Sequence, residues 1–196
     1  MIDEAALDAL FHKARTANAF TDAPVTDAQL HQMVELMQLG PTATNGQPAR
    51  IVFLRSAEAR ERLRPALSAG NLDKTMGAPV IAIIAFDTRF HENLPRVFPH
   101  NPAAMSWFDG DDKKAGREAA AFRNSSMQGG YFILAARAVG LDCGPMSGFD
   151  NAKVDAEFFP DGRVRSNFIC NLGVADHSKT FARSPRLGFD EICQVL

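Results

Sequence analysis

The chain has 196 residues, 46% of them hydrophobic and 22% charged, which fits one globular domain with a substantial core. Its 21 Lys and Arg residues against 23 Asp and Glu residues give a formal net charge of −2, and no basic stripe is available for nucleic acid. The first residues contain acids, and no apolar stretch is long enough to span a bilayer, so we predict a single cytoplasmic domain (1–196) with no membrane partner.

The first half of the chain contains both helical and strand patterns. Apolar residues at helical spacing predict helices over 4–17 and 27–39, the second with Thr26 or Asp27 as N-cap and an end at Gly40-Pro41. The polar segment after the second helix is a predicted loop. This loop covers residues 41–48. Two apolar, β-branched runs after it predict strands over 50–55 and 79–87, with a helix over 57–68 between them.

The second half begins with residues 88–116, a polar insertion with aromatic residues that we expect to cover a pocket. Within it, Trp107 and Phe108 fit either a pocket wall or plain core. A long helix rich in small residues is predicted from Lys114 to Gly140, and a last strand over 166–176. This order of elements favours an α+β class over a doubly wound sheet.

Several common chemistries lack their motifs. There is no GxGxxG, no P-loop, no metal spacing among the five histidines, and no nucleophile elbow around Ser147. The three cysteines are widely spaced, so we expect reduced, mostly buried thiols and no metal site.

Five segments in order resemble the nitroreductase superfamily and together span the chain. They are ARTANAFTDAPV (14–25), GPTATNGQPARIVF (40–53), NLDKTMGAPV (71–80), GLDCGPMSGFD (140–150) and ARSPRL (182–187). The resemblance implies a central, mostly antiparallel sheet flanked by helices, an intertwined homodimer, FMN as cofactor, and NADPH or NADH as hydride donor.

The resemblance also implies where the flavin phosphate binds. Arg15 and Thr16 match the first phosphate element, because an arginine and a hydroxyl near a helix end can form charge-assisted hydrogen bonds. Arg186 and Arg183 match the second basic element, with an ambiguous register around Ser184-Pro185. Without the resemblance, these would read as solvated surface cations and a cap.

Further positions match family elements around the rest of the flavin. Residues of one loop would reach the flavin of the partner subunit, namely Pro41, Thr42, Ala43 and Asn45. Asn71 and Lys74 match positions beside the ribityl chain and the pyrimidine edge, where a cation stabilises the reduced flavin. Lys74 also fits an ordinary exposed helix lysine.

A last loop matches the one whose backbone faces the flavin N5 atom, and it consists of Pro145, Met146, Ser147 and Gly148. The chain departs from the family pattern at two of the matched positions. Asn18 stands where many relatives carry a cation, and Ser147 stands where some carry Glu. The resemblance therefore leaves the charge at the pyrimidine edge open.

Within the family, the chain is most similar to reductases of malonic semialdehyde (3-oxopropanoate) in pyrimidine degradation, through segments such as FRNSSMQ and PRLGFDE. The resemblance implies ping-pong hydride transfer, with Arg96 or Arg123 holding the substrate carboxylate and no side chain named as catalytic acid. For Arg123, a structural ion pair with a nearby acid is an equally good interpretation. A broad nitro- or quinone-reductase and a non-catalytic flavin-binding protein remain open alternatives.

Overall fold

The structure is a computed structural model that describes residues 2–196, with helices packed around a four-stranded sheet. The strands are β1 (Ala49–Leu54), β2 (Val80–Asp87), β3 (Asp142–Met146) and β4 (Val164–Gly173). They lie in the order β1-β2-β4-β3, and each neighbouring pair is antiparallel. The predicted α+β class with a mostly antiparallel sheet is confirmed.

The helices surround this sheet, and short 3₁₀ turns connect several of them. In chain order they are α1 (Glu4–Leu7, continued by a π turn at Asp8–His12), α2 (Asp27–Gln38), α3 (Ala57–Leu63), α4 (Ala69–Met76), α5 (Leu94–Val97), α6 (Lys114–Ala138), α7 (Asn151–Phe158) and α8 (Phe189–Ile192). The predicted N-cap of α2 is correct, since Thr26 Oγ1 accepts from the Gln29 N–H at 3.2 Å and the Gln29 side chain accepts from the Thr26 N–H at 3.0 Å.

The core lies on both faces of β2, whose eight residues are all buried. Successive side chains of a strand point to opposite faces, so Val80 and Ile84 pack on the side that holds α2 and α6, around Phe132. Ile81 and Ile83 pack on the other side against α3 and α7. Because both faces are covered, β2 is apolar over residues 80–86 instead of alternating, and only its last residue, Asp87, is charged.

A buried carboxylate holds the end of β2. Asp87 is 1% exposed, and Arg163 binds it at 2.9 and 3.0 Å while Arg50 binds it at 2.6 Å. Burial alone would raise the pKa of Asp87, but the hydrogen bonds from Arg163 and the Arg89 N–H, together with both arginine charges, lower it below its ordinary value. The carboxylate therefore ties β1, β2 and the start of β4 together.

Some predicted boundaries were wrong. The helix expected over 4–17 ends at His12, because the following segment runs beside β3, where the Ala17 N–H donates to the Cys143 carbonyl at 2.8 Å. The helix expected over 57–68 is α-helical only to Leu63 and ends in a 3₁₀ turn that contains Pro65. The strand expected over 166–176 occupies Val164–Gly173.

The insertion at 88–116 consists of short helical turns instead of open loop. Trp107 in it is 54% exposed and is therefore not core in the chain, whereas Phe108 packs edge-on against buried Phe90. Cys143 and Cys170 are buried free thiols as expected, and Cys193 is exposed. Within residues 2–196, no helix is long and apolar enough to cross a membrane.

Candidate functional site

Four arginines from three parts of the chain line one pocket of about 350 Å³, which we call the arginine pocket. Arg15 follows the first helical turns, Arg137 lies in the last turn of α6, and Arg183 and Arg186 belong to the C-terminal tail. Thr16 and Asn18 also line it. The two basic elements predicted from sequence are therefore neighbours in space.

Backbone carbonyls hold these guanidinium groups in place. Arg15 donates to the carbonyls of His12 and Ala14 at 3.0 and 2.9 Å, and Arg137 donates to the Leu10 carbonyl at 2.8 Å. One nitrogen of Arg183 donates to three carbonyls of the 11–14 turn at 2.7 to 3.0 Å. Each of these arginines uses a single nitrogen for these bonds, which leaves further N–H groups for a ligand.

The arginine pocket has a large excess of positive charge. Among the ion pairs of residues 2–196, none joins an acid to any of the four arginines. Desolvation, followed by the charges of Arg15, Arg186 and Arg137, lowers the pKa of Arg183 below its ordinary value. Like charges gathered without counter-ions are costly unless an anion binds among them, so the donor set fits a phosphate group.

The segment that carries Arg15 connects this pocket to β3. Thr16 forms a parallel bridge with Cys143, and the backbone at Gly144 is close enough that a Cβ there would lie 2.7 Å from the Ala17 carbonyl oxygen. The predicted loop 145–148 begins inside β3, because Pro145 and Met146 are the last two residues of that strand and only Ser147 and Gly148 follow it. The arginine pocket and this loop therefore lie along the same edge of the sheet.

The same loop is fastened to α4. Asn71 Nδ2 donates to the Gly148 carbonyl at 2.9 Å, and a Cβ added at Gly148 would collide with that same Nδ2 atom. Lys74 is half-buried one turn further along α4, and its carbonyl accepts from the side chain of buried Asn171 at 3.1 Å. Asn71 and residues 145–148 therefore form one surface, and Lys74 lies one turn further along the same helix.

The loop over 41–48 lies apart from that surface, because it precedes β1, the opposite edge strand. Three interstrand spacings separate β1 from β3, which is about 14 Å across the sheet. The loop contains three non-glycine residues with positive φ, namely Thr44 at 52°, Asn45 at 50° and Gln47 at 43°. Such backbone is retained where surrounding contacts impose it and is frequent at functional sites.

Side chains of the neighbouring elements impose this conformation. Asn124 of α6 accepts from the Ala43 N–H at 2.8 Å, and Asn45 Nδ2 donates to the Val97 carbonyl at 2.7 Å. Pro41 and Asn45 are exposed, and Thr42 accepts from the Gln47 N–H at 3.2 Å. The loop is therefore a fixed, outward-facing feature rather than a flexible turn.

The two candidates for a substrate carboxylate are in different surroundings. Arg96 lines a polar cavity of about 320 Å³ beside the 41–48 loop. Arg123 is exposed on α6 in a shallow surface lined by Phe122, Met127 and small residues. Neither arginine forms an ion pair within residues 2–196, so the alternative of a structural ion pair for Arg123 is not observed.

Sequence reasoning missed Arg137. It lies in the last turn of a helix, where a cation is common because it interacts favourably with the helix dipole, so its position alone does not suggest a ligand. Among residues 2–196, no group of three or more His, Cys, Asp or Glu side chains could hold a metal ion.

An antiparallel sheet flanked by helices, with a pocket of arginines that lack acidic partners at one edge, fits the binding of an anionic ligand. The sequence pattern of the Nitroreductase family matches residues 12–173. A protein of Cupriavidus pinatubonensis, named as an NADH dehydrogenase/NAD(P)H nitroreductase, is 56% identical over 189 residues, which cover 96% of each chain. The chain belongs to the Nitroreductase family.

Solved structures have the same fold. The nitroreductase YdfN of Bacillus subtilis matches with a TM-score of 0.89 at 22% identity, over 99% of this chain and 100% of the other. A nitroreductase of Exiguobacterium sibiricum in complex with FMN matches with a TM-score of 0.87 at 17% identity, over 100% and 98% of the two chains. The nitroreductase-like fold predicted from the sequence is confirmed.

Proposed function

We propose that this protein is an FMN-dependent NAD(P)H oxidoreductase that holds the flavin phosphate in the arginine pocket. The observation that carries the proposal is the group of four arginines beside Thr16 without a neutralising acid. A phosphate monoester supplies two negative charges and several acceptor oxygens, which such a group binds by charge-assisted hydrogen bonds. The FMN complex of the Exiguobacterium relative and the names of the sequence relatives support this choice of ligand.

In this proposal the residues that would hold the flavin lie along the β3 edge, from the arginine pocket to the contact between Asn71 and Gly148. Asn71 would bind the ribityl chain, and the backbone of Ser147 and Gly148 would face the flavin N5 atom. Lys74 would stand by the pyrimidine edge and stabilise negative charge that develops there on reduction. Asn18, a neutral side chain in the arginine pocket, adds no cation to that edge.

FMN, when bound, supplies the capacity to accept a hydride and to give it up again. The protein residues bind and orient it, and no side chain is needed as a nucleophile. NAD(P)H and the oxidised substrate would use the same cleft in turn. The net reaction proposed is NAD(P)H plus H⁺ plus 3-oxopropanoate giving NAD(P)⁺ and 3-hydroxypropanoate, a step of pyrimidine degradation.

The proposed active unit is a homodimer, in which the 41–48 loop of one copy covers the flavin of the other. Large apolar side chains support this, because they are exposed along α6 (Phe122, Met127, Tyr131) and throughout the tail (Phe181, Leu187, Phe189, Ile192, Val195). Phe122 and Met127 line one shallow surface together, and large exposed apolar patches mark interaction sites. A second copy would bury it and bring Thr42 and Asn45 to the opposite sheet edge of its partner.

A second candidate is a broad nitro- or quinone-reductase. The relatives named as NAD(P)H nitroreductases agree with this reading.

One experiment separates the candidates. The purified protein is reduced without oxygen by NADH or NADPH while the visible band of oxidised flavin is followed, and malonic semialdehyde or a nitroaromatic is then added. Rapid return of the band with the semialdehyde supports the proposed reaction, and return only with the nitroaromatic supports the broad reductase. A band that neither nucleotide bleaches indicates a flavin-binding protein without turnover, and a colourless protein that takes up no added FMN refutes the cofactor assignment.

A further inference from the structure

The second polar cavity, about 320 Å³ in volume, shares no lining residue with the arginine pocket, and we call it the Arg96 cavity. It lies between the end of α2, the start of β1, the turn at α5 and the middle of α6. Its lining contains two arginines and four carboxamides, among them Arg50, Arg96, Asn93 and Gln128. No carboxylate lines it, so its donors exceed its acceptors.

The two arginines differ in how far their charge is neutralised. Arg50 donates to buried Asp87 at 2.6 Å and to the carbonyls of Gln47 and Ala49 at 3.1 and 2.8 Å, so its charge is compensated inside the protein. Arg96 has neither an ion pair nor a hydrogen bond within residues 2–196. It supplies the uncompensated charge of this cavity.

Gln128 provides a donor at the cavity wall. Its side chain is 2% exposed, and its Oε1 atom accepts from the Ala49 N–H at 2.9 Å, which fixes which end of the amide is oxygen. The Nε2 atom of Gln128 has no hydrogen-bond partner within residues 2–196, and the residue lines the cavity. Because Nε2 is not among the fully buried side-chain atoms that lack a partner, it is open to the cavity, where an oxygen of a bound ligand can accept a hydrogen bond from it.

We infer that the Arg96 cavity binds the carboxylate of a small organic acid, with Arg96 as the cation and the Gln128 amide as a second donor. The planar guanidinium matches the two oxygens of a carboxylate, and the volume suits a molecule of a few carbon atoms. Asn93 and the other carboxamides supply polar partners for the remaining atoms of the ligand. Arg123, surrounded by apolar and small side chains, offers no comparable set of donors.

The cavity is joined to the loop that the proposed function brings to the flavin of a second copy. Asn45 of that loop donates to the carbonyl of Val97, the residue after Arg96. A carboxylate held by Arg96 would thus lie next to the 41–48 loop. The assignment of this carboxylate to the aldehyde substrate rests on the proposed function, whereas the affinity of the cavity for an organic acid does not.

The first test measures binding of malonate, a redox-inert dicarboxylate, to the FMN-loaded enzyme by calorimetry. Arg96→Gln, which keeps a polar side chain without the charge, should weaken malonate binding by about 10- to 100-fold. Gln128→Glu, which keeps the acceptor for the Ala49 N–H but replaces the free donor by an oxygen, should weaken it in the same direction. Arg123→Gln is the matched control and should bind malonate like the parent protein.

The second test compares the turnover of malonic semialdehyde with that of propanal, an aldehyde of the same chain length that has a methyl group in place of the carboxylate. Arg96→Gln should lower the ratio of the two kcat/KM values by about 10- to 100-fold. Unchanged malonate affinity in Arg96→Gln, or a loss seen in Arg123→Gln instead, would overturn the inference. If malonate binding depends on Arg96 but the parent enzyme does not reduce the semialdehyde, the acid site stands and the proposed substrate is wrong.

Discussion

Replacing Arg137 by alanine tests the arginine pocket directly, because this residue was not suggested by any sequence motif. A hydrogen bond to a charged group contributes about 1.5–3 kcal/mol, and Arg137 is half-buried, so the lower part of that range applies after solvent screening. At 1.4 kcal/mol for each tenfold change, FMN should bind about 10- to 30-fold more weakly. Riboflavin, which lacks the phosphate, should keep its affinity within about twofold.

The flavin-free protein should respond differently to the same substitution. Arg137→Ala removes the charged hydrogen bond to the Leu10 carbonyl, worth about 1.5 kcal/mol after solvent screening, but it also removes repulsion from the three neighbouring arginines. Because the two effects have opposite signs, the free energy of unfolding without flavin should change little. Fluorescence titration with FMN and riboflavin, and denaturation of the flavin-free protein, measure both quantities.

A matched control is Arg55→Ala, which removes one exposed arginine that is paired with Asp27 far from the pocket. It changes net charge equally and should leave FMN affinity unaltered. The reasoning is refuted if Arg137→Ala binds FMN like the parent protein. It is equally refuted if riboflavin loses as much affinity as FMN, since the phosphate would then not be the group that Arg137 binds.

Three further outcomes follow from contacts described above. Asp87→Asn should destabilise the fold by about 2–4 kcal/mol in urea denaturation, because two arginines lose a buried partner and are themselves only partly exposed. Folding lowers the pKa of Asp87 below its ordinary value of 3.8. The contribution of Asp87 to the free energy of unfolding should therefore be complete at pH values above the pKa of the unfolded state and be lost as the pH falls through the lower pKa of the folded state. The free energy of unfolding of Asp87→Asn should lack this dependence on pH. Gly148→Ala should weaken flavin binding with little loss of secondary structure, since the added Cβ displaces the Asn71 amide from the loop, and wild-type flavin affinity would contradict this. Phe132→Ala should cost about 3–5 kcal/mol because its ring is fully buried between α6 and the sheet, and a loss under 1 kcal/mol would mean that the core collapses around the cavity.

The sequence predicted the fold class and most of the long elements because their patterns are strong. β2 is apolar over residues 80–86 and α6 keeps a helical pattern over its length, so both were found. β3 was missed as a strand, since its five residues contain Gly144 and Pro145, which weaken any strand pattern. α7 was missed for a related reason, because eight residues are too few for a clear helical period.

The candidate site was only partly accessible from the sequence. The resemblance supplied Arg15, Thr16, Arg183 and Arg186, and the structure places them together. Arg137 joins them only because α6 packs its last turn against the 10–14 segment, a tertiary contact that no local pattern encodes. The left-handed backbone at Thr44 and Gln47 was equally hidden, since neither residue type favours positive φ.

The placement of the arginine pocket and the 41–48 loop at opposite edges of one sheet has a thermodynamic consequence. In the proposed dimer, each copy would bind the phosphate of one flavin in its arginine pocket and cover the second flavin, bound to its partner, with its 41–48 loop. Neither copy alone therefore forms a complete site. Assembly and cofactor are then linked by mass action, and each raises the apparent affinity of the other. On dilution the dimer should dissociate and release flavin. Excess flavin should keep the dimer assembled at protein concentrations at which the flavin-free protein is monomeric.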